Sequence, residues 1–88
     1  METINFTAEA LAGLEHWKKS GNTIVLKRIR QLLQAIQTDP FNGIGKPEAL
    51  KHNLSGMWSR RINQEHRIVY KVEGDIITVY SLRFHYAK

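Results

Sequence analysis

The sequence predicts an α+β fold, two N-terminal antiparallel helices packed on an antiparallel β-sheet, and three observations carry that reading. Apolar residues recur at helical spacing in two stretches ahead of Pro40. Runs rich in β-branched and aromatic residues follow at 57–63, 66–72 and 76–85. Between the halves lies PFNGIGKP, residues 40–47, a loop bracketed by prolines. A chain of 88 residues fits one domain, 1–88, that buries roughly 60–65% of its unfolded surface. Any site is then expected in a shallow groove on one face of the sheet, which suits a polymer substrate.

Each element has a local reason. Residues 2–6, ETINF, alternate apolar and polar and read as a short strand. Thr7 can cap the first helix, whose stripe is Ala10, Leu11, Leu14 and Trp17, and Ser20-Gly21-Asn22 stops it. From Thr23 to Thr38 the stripe is Val25, Ile29, Leu32, Leu33 and Ile36, with Lys27, Arg28, Arg30, Gln31 and Gln34 on the other faces. Asp39-Pro40 ends this second helix, because proline disfavours helical geometry in the residue before it. The loop at 40–47 lacks the spacing of a Walker phosphate-binding loop and serves to deliver Glu48. Leu50 to Leu54 reads as a further short strand or a single helical turn.

Composition narrows the function. Lys plus Arg number 13 against 8 Asp plus Glu, a net charge of +5 and a sequence pI near 9.8. Such a chain is drawn to polyanions. There is no cysteine, which excludes disulfides, thiolate nucleophiles and cysteine-ligated zinc. The N-terminus lacks the layout of a signal peptide, and no apolar run approaches the roughly 18 residues that cross a bilayer. A soluble, cytoplasmic protein without membrane contact is expected.

The stretch from Lys46 to Tyr70, answered by Arg83-Phe84-His85-Tyr86, concentrates charged and aromatic residues. A two-residue turn at Gly74-Asp75 would pair Val72 with Ile77 and set Arg67 on the face of Tyr80 and Leu82. A three-residue turn, Glu73-Gly74-Asp75, instead sets Arg67 beside Ser81, Arg83 and His85. It leaves Ile68, Tyr70, Val72, Ile76, Tyr80 and Leu82 for the core. The second register segregates polar from apolar residues better and is the expected one. If Trp58 and Ile62 face the helices, Arg61 points to the other face and Arg60 must escape at the sheet edge.

These residue types suit cleavage of a phosphodiester without metal. RNA carries its own nucleophile, the 2′-hydroxyl, so an enzyme must supply a base, an acid and cations over the phosphate. Glu48 suits the base, His85 the acid, Arg61 and Arg67 the cations, and Lys51 adds positive charge. Each residue also has a structural reading. Glu48 after proline suits a helix start, Arg61 and Arg67 suit pairing with Glu65 and Glu73, and His85 suits a solvated terminus. Tyr70, Tyr80 and Trp58 fit the core. His16, His52 and His66 show no ligand pattern such as HExxH, so neither metal nor cofactor is expected.

The run GKPEALKHNLSGMWSRRINQEHRIVY at 45–70, with RFHY at 83–86, resembles the YoeB (Txe) toxins of the RelE superfamily, over nearly the whole chain. The resemblance implies a RelE-like fold and a ribosome-dependent mRNA interferase. Such a toxin cleaves mRNA in the ribosomal A site, leaves a 2′,3′-cyclic phosphate and blocks translation. It puts Glu48 at the general base, His85 at the general acid and Arg67 at the phosphate. Lys51, His52, Arg61 and Tyr86 fall at other positions of the site. The partners implied are a YefM-like antitoxin, the ribosome with its rRNA and mRNA, and operator DNA through the antitoxin complex; a homodimer is compatible. One departure is the continuation past Tyr86 with Ala87-Lys88, where family members commonly stop. Two other functions fit the same charge: a ParE-like toxin that inhibits gyrase, and a non-catalytic RNA-binding module.

Overall fold

The computed structural model describes residues 3–84. Its elements are β1 (Thr3–Phe6), α1 (Ala8–Lys19), α2 (Thr23–Thr38), β2 (Glu48–Ala49), β3 (Met57–Arg61), β4 (Arg67–Glu73) and β5 (Ile76–Ser81). A short 3₁₀ turn, His52–Leu54, follows β2, so the segment at 50–54 forms a helical turn just past a strand.

Both helices start on side-chain caps. The Thr7 hydroxyl accepts from the Ala10 amide at 3.1 Å, and the Asn22 side chain accepts from the Val25 amide at 3.1 Å. The stripe of α2 packs as expected, with Val25, Ile29, Leu32 and Ile36 buried and Leu33 partly so. In α1 the buried face is Ala10, Gly13 and Trp17, whereas Leu11 is 53% exposed. Gly13 replaces it because α1 lies tight against the end of β5. A side chain there would meet Leu82 Cβ and Arg83 Cγ at 3.4 Å.

The five strands form one sheet in the order β1-β5-β4-β3-β2. Strands β2 to β5 pair antiparallel, but β1 joins β5 in parallel, so the sheet is mixed. The helices intervene between β1 and the other strands, and a long crossover permits a parallel neighbour that a hairpin cannot make. The two helices cover one face, where Ile68, Tyr70, Ile77, Val79 and Leu82 form the core with them. No described helix is long and apolar enough to cross a membrane.

The β4–β5 hairpin corrects the expected register. Val72 pairs with Ile77 and Glu73 with Ile76, so the turn is the two-residue Gly74-Asp75, with Gly74 at φ 60°. Left alone, this register would turn Ser81 to the helix face and set Leu82 on the face of Arg67. A β-bulge prevents it, since Tyr70 pairs with Val79 while Val69 pairs with Ser81, leaving Tyr80 as the extra residue. Beyond the bulge the parity flips, and Ser81 shares a face with Val69 and Arg67 as expected. The core set changes accordingly. Ile77 and Val79 are buried in place of Ile76, which is 45% exposed, and Tyr80, which is half-buried.

Arg60 does not escape at the sheet edge. It lies on the helix side of the sheet with 0% exposure and is held by the loop at 39–44.

Candidate active site

The face without helices is built by strand alternation. Glu48 pairs with Ser59, Ser59 with Val69, and Val69 with Ser81, a row across β2, β3, β4 and β5. One step along β3 and β4, Arg61 lies directly opposite Arg67. Like charges facing each other across a ladder repel. Two guanidinium groups there favour an anion between or above them.

Arg67 is the centre of the arrangement. Its Nη1 donates to Ser59 Oγ at 3.1 Å and lies 3.5 Å from Glu48 Oε1. Its side chain is 8% exposed against 57% for Glu48, so a nearly buried cation lies beneath an accessible carboxylate. Little water reaches Arg67 to screen it, which strengthens its field on whatever docks there. Arg67 Nε is buried and has no hydrogen-bond partner among the described residues. Glu48 is thus a strand residue paired to Arg67, not a helix-start carboxylate, and Arg67 pairs with Glu48 rather than with Glu65 or Glu73.

The end of β5 is tied to the same spot. The Arg67 amide donates to the Phe84 carbonyl at 3.1 Å, and the Phe84 amide donates to His66 Nδ1 at 2.8 Å. Phe84 has φ 69°, a left-handed conformation that these two bonds hold. The chain therefore leaves residue 84 alongside Arg67. His85 and Tyr86 lie outside the described residues. Arg83, expected beside Arg67, runs along α1 near Gly13 instead.

Lys51 and His52 are exposed, just past β2, with His52 at φ 60° in the 3₁₀ turn. Among the described residues no hydrogen bond or ion pair links either one to Glu48 or Arg67. Nor is any cluster of three or more His, Asp or Glu side chains placed there to share a metal ion. Three contributors were not expected from sequence: Ser59, which orients Arg67; His66, which holds Phe84; and Arg60, which holds the loop before Glu48. Alternation along β3 sets Ser59 on the face of Arg61 and could have flagged it. No local pattern marks the other two.

Two helices on one face of a five-stranded mixed sheet, with a carboxylate and paired arginines on the other, define a RelE-like fold. A YoeB/ParE toxin from Agrobacterium tumefaciens superposes with a TM-score of 0.90 at 36% identity, covering 98% of this chain and 100% of that one. A chain of the heterotetrameric YoeB–YefM toxin–antitoxin complex from Staphylococcus aureus does so at 0.87 and 39% identity, covering 98% and 99%. A toxin YoeB of Synechocystis sp. is 54% identical over 72 residues, 82% of this chain and 84% of its own length. The model of the YoeB-like toxin family of bacterial type II toxin–antitoxin systems matches residues 6–86, and the chain belongs to that family.

Proposed function

We propose that this toxin is a ribosome-dependent endoribonuclease that cleaves mRNA in the ribosomal A site and thereby blocks translation. The observation that supports it most is the accessible Glu48 carboxylate 3.5 Å from the nearly buried Arg67, with Arg61 opposite Arg67. In this reading Glu48 takes the proton from a 2′-hydroxyl, and the 2′-oxygen attacks the adjacent phosphorus. Arg67 and Arg61 take up the charge on the non-bridging oxygens. The bond from phosphorus to the 5′-oxygen breaks as His85 protonates the leaving oxygen. The products are a 2′,3′-cyclic phosphate and a 5′-hydroxyl. Base, acid and cations are all side chains, so the step calls on neither metal nor cofactor. Lys51, His52 and Tyr86 complete the set that binds the substrate.

The net charge of +5 supports a basic surface that meets rRNA and mRNA, and in this reading the toxin works in the cytoplasm, where the ribosome is. It supports equally an acidic, YefM-like antitoxin as the restraining partner, in line with the Staphylococcus complex. Operator DNA is reached through that antitoxin complex, and the heterotetramer is compatible with a toxin homodimer.

End-group analysis of a transcript after brief expression tests the reading. New 5′ ends by primer extension, each matched by an upstream cyclic phosphate, are expected. Growth arrest without new ends would overturn it in favour of a ParE-like gyrase inhibitor. RNA binding that weakens with salt but yields no cyclic phosphate would leave a non-catalytic module.

A further inference from the structure

We infer that Arg60 is a positioning residue for Glu48, acting through the loop that precedes it. The inference rests on the reading of Glu48 as the general base.

Arg60 is a fully buried guanidinium whose hydrogen-bond partners among the described residues include no carboxylate. Its Nη2 donates to the carbonyls of Asp39 at 2.6 Å and Asn42 at 3.0 Å, and its Nη1 to that of Ile44 at 3.1 Å. Its Nε donates to the Tyr70 hydroxyl at 3.1 Å, and that hydroxyl donates on to the Pro40 carbonyl at 2.6 Å. Burying a charge with only neutral acceptors is costly, and an apolar side chain would fill the core with less penalty. What the arginine supplies instead is geometry. Its planar fork joins carbonyls that no helix or strand would otherwise satisfy.

The tie matters because the loop sets where Glu48 stands. Strand β2 has only two residues, so few ladder bonds locate it. Just upstream, Gly45 and Lys46 both have left-handed φ, +84° and 53°, and a side chain at Gly45 would come within 2.7 Å of Leu32 Cδ2. The Gly45 carbonyl accepts from the Arg61 amide at 2.6 Å. A strained path of this kind holds only while its neighbours enforce it. On β3, consecutive residues thus do opposite tasks: Arg60 grips the loop from inside, while Ser59 and Arg61 line the face that Glu48 must meet. If the grip loosens, Glu48 drifts relative to Arg67, and misplacement by about 1 Å can cost roughly 10²-fold in rate.

Lysine keeps the charge but offers one nitrogen, which cannot span these acceptors. The test compares Arg60→Lys, Tyr70→Phe and Glu48→Gln in the full chain, by cleavage of ribosome-bound mRNA well below each variant's melting temperature and by amide hydrogen exchange. For Arg60→Lys a fall in kcat of about 10- to 100-fold with KM near wild type is expected. Exchange at the Arg61 amide should quicken while Ile68 and Val79 stay protected. Tyr70→Phe, the gentler change, should show both effects in weaker form and serves if Arg60→Lys does not fold. Full kcat together with unchanged exchange at Arg61 in both variants would overturn the inference. So would a loss of activity that follows the unfolded fraction alone. Full activity in Glu48→Gln would instead remove the reading of Glu48, while the exchange data would still report whether Arg60 holds the loop.

Discussion

Two adjacent arginines on one strand meet opposite fates, and the contrast separates the faces of the sheet. On the helix face Arg60 is fully buried and its donors are spent on the loop and Tyr70. On the other face Arg61 is exposed opposite Arg67, and one carboxylate, Glu48, answers the two cations. A cation whose donors are all satisfied internally is structure. Cations that repel each other across a ladder and keep donors free are available to a phosphate.

The sharpest way to break this contrast is at the carboxylate. Glu48→Gln preserves shape and β2 pairing but removes the proposed base, so single-turnover cleavage should fall by about 10²- to 10⁴-fold with the melting temperature nearly unchanged. Arg67→Ala comes next, with an expected loss of roughly 10²- to 10³-fold in kcat, and Arg67→Lys should recover only part because one nitrogen cannot serve Ser59, Glu48 and a phosphate together.

On the helix face the expected effects reach stability as well as kcat. Tyr70→Phe removes a hydroxyl that bridges Arg60 and Pro40 and should cost about 1 kcal/mol by denaturant titration. Burial raises the Tyr70 hydroxyl above its ordinary 10.0, partly opposed by the hydrogen bond and charge of Arg60. The folded state therefore holds this proton more tightly than the unfolded chain. Its contribution is present below pH 10 and fades as pH rises beyond it, so the wild type should lose stability in that range and the phenylalanine variant should not show this part of the loss. The smallest effect belongs to Arg61→Ala. Stability should stay within about 0.5 kcal/mol or rise slightly as the repulsion from Arg67 is relieved. RNA affinity should fall, and its log–log salt slope should shrink by about 0.7 for a single-stranded contact.

Much of the site was legible because strand alternation is a short-range rule. Once Trp58 and Ile62 are assigned to the core, Ser59 and Arg61 must face away from it, and so they do. The hairpin shows where that rule runs out. The turn is the two-residue form, yet Arg67 still reaches the face of Ser81, because the bulge at Tyr80 inserts the missing residue. A bulge is decided by packing between β5 and its neighbours, and nothing in the local pattern announces it. Arg60 was misjudged for a related reason. Taken alone a charge belongs at an edge, and only the loop at 39–44, about 20 residues upstream, supplies the carbonyls that let it enter the core.

By itself the sequence determined the two amphipathic helices and their ends, the alternating strands, the basic charge, and which of Ser59, Arg60 and Arg61 share a face of β3. These follow from spacing and residue type, which act over a turn of helix or a few strand positions. Tertiary structure alone decided the parallel docking of β1, the bulge that sets the face of Ser81, the burial of Arg60, and the 3.5 Å approach of Glu48 to Arg67. Each depends on groups far apart in the chain, whose pairing free energies exist only once the sheet has formed.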